Sequence, residues 1–159
     1  MKVPILSDLK SKGETPEYLF WVGCAGSFDD RSKKVTKAFV KILNKANISY
    51  AILGKEESCT GDPAKRAGNE FLFQMKAVSN IEILNSYNIK NIITTCPHCF
   101  NTIKNEYPEL GGNYKVIHQN LPTSYKSLAV AIISAKSKTF TSSSFSLFLI
   151  PSVIIVLQK

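Results

Sequence analysis

The sequence predicts an α/β fold with a mainly parallel sheet flanked by helices, and three observations predict it. Short apolar runs, Leu19-Phe20-Trp21-Val22, Tyr50-Ala51-Ile52-Leu53 and Asn91-Ile92-Ile93-Thr94-Thr95, have the length and β-branched or aromatic character of buried strands. Longer stretches with apolar residues at three- and four-residue spacing separate them. Strand and helix therefore alternate as βαβαβαβ, the pattern of a parallel sheet with right-handed crossovers. Cys24, Cys59, Cys96 and Cys99 each follow one of the three runs. Loops at the carboxyl ends of neighbouring parallel strands converge on one crevice, so four thiols far apart in sequence are expected to meet there.

Taken in order, residues 1–18 read as an N-terminal arm with room for one short helix, and residues 19–22 as the first strand. Gly23-Cys24-Ala25-Gly26-Ser27 reads as a turn. Asp29 and Asp30 then stand where a helix N-terminus favours acids, and the helix is expected to run to about Asn47. Val35, Ala38, Phe39, Ile42, Leu43 and Ala46 form its apolar stripe, with Lys33, Lys34, Lys37, Lys41 and Lys45 on the other side. That lysine face reads as solvated, or as a docking face for an acidic electron-transfer partner.

Residues 49–53 are the second strand, and a loop follows from Gly54 to Asp62. Asp62-Pro63 opens a helix, an N-cap followed by proline at the first helical position. The helical pattern breaks near Gly68 and continues to Tyr87, with Phe71, Leu72, Met75, Val78, Ile81 and Leu84 as expected core residues. Residues 91–95 are the third strand. Cys96-Pro97 opens a helix that ends before Pro108, and Tyr114 to Ile117 is the fourth strand.

Past His118 the composition changes. Residues 119–159 hold no Gly, Asp or Glu but nine serines, and end in the apolar run from Phe145 to Leu157. Three readings stand for this segment: part of the same domain, a membrane segment, or a non-native tail from a shifted reading frame. The apolar run is interrupted by Pro151 and is shorter than the ~20 residues of a spanning helix.

The formal net charge is +8. Half of the excess comes from the four lysines after His118, so the high pI is no nucleic-acid footprint, which needs a patterned basic surface. No apolar signal segment opens the chain, which points to the cytoplasm, where cysteines serve as metal ligands or catalytic thiols more often than as disulfides.

Cys96-Pro97-His98-Cys99 is the sharpest local motif. Two thiols at i and i+3 share one side of a helix's first turn, where free N–H groups and the helix dipole favour thiolate. A CxxC pair serves metal binding and disulfide exchange alike. Cys24 sits among small residues that let backbone approach a bulky group, and Cys59 sits in a polar loop where a buried structural role fits poorly. Converging thiols of this number suit a metal or an iron–sulfur cluster. His98 is expected to donate to the thiols or tune them rather than bind metal, and His118 to be structural.

These residues resemble a known pattern. Cys24, then Cys59-Thr60-Gly61, then Cys96-x-x-Cys99 is similar to the cysteine-rich CCG domain, with intervening gaps of 34 and 36 residues. That module occurs in heterodisulfide reductase. It also occurs in the iron–sulfur subunits of anaerobic glycerol-3-phosphate dehydrogenase, glycolate oxidase and lactate-utilisation proteins. Trp21-Val22-Gly23-Cys24-Ala25-Gly26-Ser27, Ser58-Cys59-Thr60-Gly61-Asp62-Pro63 and Cys96-Pro97-His98-Cys99-Phe100-Asn101 carry the likeness, which covers about residues 19–118 and leaves 119–159 outside it.

The resemblance implies an iron–sulfur electron-transfer subunit of an oxidoreductase, with Cys24, Cys59, Cys96 and Cys99 as ligands of a cluster, [4Fe–4S] in type. Backbone N–H groups near Gly26 and Gly61 would tune its potential. A flavin or ferredoxin-type subunit is the implied partner, and membrane association is expected only through a partner or the tail.

Two departures qualify the pattern. Thr60 stands where the family has a second cysteine, which bears against the noncubane clusters of heterodisulfide reductase. One module is present where such proteins usually carry two, and the tail begins where the second would. Two alternatives remain: a thioredoxin-like thiol–disulfide oxidoreductase using Cys96 and Cys99, and a zinc module in which all four cysteines bind the ion.

Overall fold

A computed structural model describes residues 3–119. The expectations for 120–159 lie outside the described residues. The fold is α/β, as the sequence predicts: strands β1 (Tyr18–Trp21), β2 (Tyr50–Ala51), β3 (Asn91–Thr94) and β4 (Lys115–His118) form one sheet in the order β2-β1-β3-β4, with every pairing parallel. In register, Leu19 lies between Ala51 and Ile92, and Ile92 pairs in turn with Val116.

The helices are α1 (Leu6–Ser11), α2 (Gly23–Phe28), α3 (Asp30–Lys45), α4 (Asp62–Arg66), α5 (Glu70–Ser86) and α6 (Pro97–Asn101). Single 3-10 turns cover Gly54–Glu56 and Tyr107–Leu110, and a widened π turn at Thr102–Glu106 follows α6.

The strand order decides where the helices pack. From β1 the chain moves outward to β2. From β2 it crosses back over β1 to β3, and then on to β4. Right-handed crossovers in opposite directions place α3 on one face and α5 and α6 on the other. Side-chain alternation agrees: Phe20 meets Phe39 of α3 at a ring distance of 5.2 Å, whereas Leu19 and Trp21 join Phe73, Ala77, Leu84, Ile103 and Tyr107 in the opposite core layer. Loops leaving adjacent β1 and β3 turn opposite ways and open a crevice at their carboxyl ends, the topological switch point.

Residues before β1 also pack on the sheet. Leu6 N–H donates to Ile52 O and Ile52 N–H to Pro4 O, at 2.9 and 3.0 Å, with Leu6 buried. The segment thereby pairs along the outer edge of β2 and shields it from other chains. β2 pairs with β1 only at Tyr50 and Ala51 where the sequence predicts 49–53, and Ile52 presents its backbone groups to the arm on the outer edge.

Two apolar stripes are corrected. On α3 the buried residues are Val40 and Leu43, while Val35 and Ile42 are exposed, Ile42 to 60%. On α5 the buried residues are Phe73, Ala77, Asn80, Ile81 and Leu84, and four of the six expected core residues, Phe71, Leu72, Met75 and Val78, face outward, Phe71 to 76%. Both helices carry apolar residues on two sides, so periodicity alone offers two stripes. The choice falls to the crossover geometry. Lys34, Lys37, Lys41 and Lys45 are wholly or partly exposed, and Lys33 is half-buried with its ammonium 3.2 Å from Asp30.

The helix boundaries follow capping chemistry. Asp29 accepts from Ser32 N–H at 2.7 Å and opens α3. Asn69 accepts from Leu72 N–H at 3.0 Å and reopens the chain as α5 after the break at Gly68. An Asn69→Ala chain is expected to lose about 1 kcal/mol of stability. Equilibrium urea unfolding followed by circular dichroism checks this: the midpoint should fall while the slope is unchanged.

Candidate functional site

The segment after Trp21 forms helix α2 where the sequence suggests a turn, so Cys24 sits in the first turn of a short helix. Its entry is fixed by a side chain from the next crossover. Glu57 accepts from Val22 N–H at 3.1 Å and from Gly23 N–H at 2.6 Å, satisfying two donors at the helix start. Burial pushes the Glu57 carboxyl up to about 7, against the pull of those N–H groups. One carboxylate thus ties the loop carrying Cys59 to the helix carrying Cys24.

Gly23 has φ +76°, and a Cβ placed on it would stand 3.1 Å from Cys99 Sγ and 3.8 Å from Cys96 Cβ. The missing side chain is the space that the CxxC pair occupies, so β1 and β3 deliver their cysteines to one place.

Cys59 is held from beneath. The Asn80 amide N–H donates to Cys59 O at 3.0 Å, and the Tyr107 hydroxyl donates to Thr60 O at 3.2 Å. Gly61 follows in a left-handed conformation, φ +92°, against Phe73. Asp62, buried at the start of α4, accepts from Arg66 Nε at 2.8 and 3.0 Å and from Thr102 Oγ1 at 3.4 Å. Its other neighbour is His98 Nδ1 at 3.2 Å. The Cys59 loop and the CxxC helix are therefore joined through one carboxylate.

The four thiols form two interacting pairs. Cys59 hydrogen-bonds Cys24, whose thiol is pushed up by burial first and by the neighbouring Cys59 next. Cys99 hydrogen-bonds Cys96 and pushes it down to about 5, helped by the N–H groups of Cys99 and His98 and by the His98 charge. The same bond, with burial, pushes Cys99 up, while the Thr60 hydroxyl pulls it down. Cys24 feels Cys96, and Cys99 feels Cys24, so the pairs face each other. Cys24 is exposed, Cys59 and Cys96 are half-buried and Cys99 is buried.

A cleft of about 470 Å³ opens beside Cys24 and Cys59, bounded by Phe28, Ile52, Lys55 and Glu57. Among the described residues, no three His, Cys, Asp or Glu side chains close in as ligands of a single ion.

His98 lies on Asp62 rather than within the thiols, and His118 Nε2 lies 3.1 Å from Thr95 O with its ring edge-on to Phe100. Sequence reasoning missed Glu57, Asn80 and Tyr107 as parts of this site. Asn80 left a readable trace, a polar residue in register with Ala77, Ile81 and Leu84 on the core side of α5. Glu57 left none, because its partners are backbone N–H groups 34 and 35 residues away.

Comparison with known proteins places this geometry. The chain is 52% identical over 110 residues to the EtfAB:quinone oxidoreductase of Syntrophomonas wolfei, covering 69% of this chain and 15% of that protein. It is 46% identical over 117 residues to a Bacillus subtilis protein named a probable iron-sulfur-binding oxidoreductase, FadF, covering 74% and 17%. It is 29% identical over 108 residues to one of the subunits of the dihydromethanophenazine:CoB–CoM heterodisulfide reductase of Methanosarcina barkeri, covering 64% and 26%. The chain thus spans about a quarter or less of each of these relatives. No solved structure matches it. The profile of the CCG family, described as a cysteine-rich domain, matches residues 18–104, and with the cysteines of β1, β2 and β3 gathered at one sheet edge, this chain belongs to the CCG cysteine-rich domain family.

Proposed function

We propose that this chain is the cluster-binding part of an iron–sulfur electron-transfer subunit, with Cys24, Cys59, Cys96 and Cys99 as ligands of a [4Fe–4S] cluster. The observation that carries the reading is the convergence of four thiols from three strand ends on the β1/β3 crevice. The chain's residues fit such a group in three ways. The donor set is all sulfur, which suits iron–sulfur chemistry. Cys96 is held toward thiolate, the ligating form. Gly23 leaves open the space beside Cys99 that any other residue would fill. The bound cluster would supply one-electron transfer.

The spacing of the thiols bears on the zinc alternative. Zn–S bonds of about 2.3 Å in a tetrahedron require sulfurs about 3.8 Å apart. Among the described residues no three His, Cys, Asp or Glu side chains are grouped to hold a metal ion, and metal analysis of the reconstituted chain separates zinc from a cluster. The thiol-exchange alternative uses Cys96 and Cys99 alone and gives Cys24 and Cys59 no task. Thr60 presents a hydroxyl to Cys99 where the family's second cysteine would stand, which supports a four-ligand cluster over a five-thiol site.

The chain's residues then have distinct tasks. Glu57 and Gly23 orient the Cys24 helix, Asp62 joins the Cys59 loop to the CxxC helix, and Phe28 with Ile52 lines the approach to Cys24. We assign the partner to a flavin or ferredoxin-type electron carrier and the site of action to the cytoplasm. The first is supported by a relative named EtfAB:quinone oxidoreductase. No helix among the described residues is long and apolar enough to cross a membrane. One relative is named a probable membrane-anchored ferredoxin, so attachment through another part of such proteins accords with this reading.

The test is anaerobic purification and iron–sulfide reconstitution of the 159-residue chain. About four irons per chain, matching sulfide, and an EPR signal after dithionite are expected. Zinc without iron, or a metal-free chain after reconstitution, overturns the reading.

A further inference from the structure

We propose that Asn80 and Tyr107 are positioning residues that turn the N–H groups of Thr60 and Gly61 toward the cysteine crevice, where those groups set the potential of the bound cluster. This rests on the iron–sulfur reading above.

The two side chains form a closed polar network under the Cys59 loop. Asn80, 1% exposed, donates through Nδ2 to Cys59 O and to the Tyr107 hydroxyl, both at 3.0 Å, and accepts from Ser58 Oγ at 2.9 Å. Tyr107, fully buried, passes the chain on by donating to Thr60 O at 3.2 Å. A buried amide and a buried phenol are costly unless satisfied, and here each is satisfied by the same three-residue loop. Two consecutive carbonyls, of Cys59 and Thr60, are thereby turned down into the core.

Peptide geometry carries the consequence. No described peptide bond is cis. In a trans peptide the N–H points opposite to the C=O of the same unit. The N–H groups of Thr60 and Gly61 therefore point away from the network. We place those N–H groups on the crevice, beside which the Thr60 hydroxyl meets Cys99 and Cys59 meets Cys24. Two successive N–H groups on one side, followed by a left-handed Gly61, make a concave and partly positive surface suited to an anionic group. Hydrogen bonds to cluster sulfurs favour the more negative, reduced state and raise the potential. Loosening the two carbonyls should lower it.

Tyr107→Phe removes the donor to Thr60 and keeps the ring in the core. Tyr114→Phe is the control, because the Tyr114 hydroxyl bonds Asn85 Oδ1 and Ile81 O, away from the cysteines. Each 159-residue chain is loaded anaerobically and titrated by EPR-monitored potentiometry, with melting temperature measured in parallel. The expected result is parental iron content in Tyr107→Phe with a lowered midpoint potential and an altered EPR line shape, while Tyr114→Phe keeps the parental potential whatever its melting temperature. A loaded Tyr107→Phe chain at the parental potential overturns the proposal.

Where Tyr107→Phe fails to load, Asn80→Leu replaces it, since that change removes the Nδ2 donor to Cys59 O while keeping a side chain of similar size in the core. A parental potential there has the same adverse meaning. Where the parent itself binds no iron, the iron–sulfur reading falls separately. The positioning role is then read as Cys59 alkylation in the metal-free chain, with Cys24 as internal reference. A several-fold faster Cys59 reaction in Tyr107→Phe supports it, and an unchanged ratio overturns it.

Discussion

Replacing Cys59 with serine is expected to abolish the visible chromophore of the reconstituted chain and to remove nearly all of its iron, while the far-ultraviolet circular dichroism stays parental. The reason is geometric. Cys59 arrives from the β2 end of the sheet, whereas Cys96 and Cys99 arrive together from the β3 end and Cys24 from β1. No fifth cysteine exists in the chain to take its place, and the hydroxyl of Thr60 is engaged with Cys99. Serine is a poor ligand to iron in a sulfur-rich site, because its hydroxyl has to lose a proton that a thiol loses far more readily. The fold should tolerate the change, since Cys59 is only half-buried and its loop is held through backbone carbonyls rather than through the thiol. Iron and sulfide analysis with an absorption spectrum gives the answer. A Cys59→Ser chain with parental absorbance and iron would remove Cys59 from the ligand set. Thr60→Val is the companion: it should keep the iron and change only the environment of Cys99.

Gly61→Ala is expected to destabilise the domain by about 2–4 kcal/mol, combining left-handed strain and overpacking of a filled core. Gly61 has φ +92°, and an added Cβ would lie 2.9 Å from Phe73 Cδ2 and 3.2 Å from Phe73 O. Phe73 is buried and α5 is anchored behind it, so neither atom can retreat cheaply. The strain falls on the loop that carries Cys59, so iron loading should fall along with stability. Urea unfolding of the metal-free chain separates the two effects, and a parental unfolding midpoint would show that the turn relaxes without cost. Gly68→Ala is the matched comparison. It has φ +79° but nothing within 4 Å of an added Cβ, so backbone strain alone is expected there.

Much of the site is legible in the chain. The positions of Cys24, Cys59, Cys96 and Cys99 after apolar runs imply convergence because parallel strands point their carboxyl ends one way. Cys96-Pro97 marks a helix start as expected, with proline at the first position where no N–H partner is needed. At Asp62-Pro63 the helix begins one residue earlier than expected, with Gly61 as N-cap and the Asp62 carboxylate turned to Arg66, Thr102 and His98. The turn expected at Gly23–Ser27 is instead helix α2, because Glu57 caps it from a distant loop. The outward side of α5 reads as its core side because Phe71, Met75 and Val78 recur with the same period as Phe73, Ala77 and Asn80.

What the sequence determined by itself is local: strand and helix order, the parallel sheet, and the sheet edge that gathers the four cysteines. Each follows from interactions between residues a few positions apart, or from the handedness of crossovers. What only the tertiary structure decided is which face of each helix is buried and what holds the cysteine loops. Val22 and Gly23 are anchored by Glu57, Cys59 by Asn80, Thr60 by Tyr107, and the CxxC helix by Asp62. Those bonds join residues 21 to 47 positions apart, and all but the Asp62–His98 contact have a backbone group at one end. A side chain that recognises backbone leaves no complementary residue in the sequence to reveal it, so such partners appear only once the chain has folded.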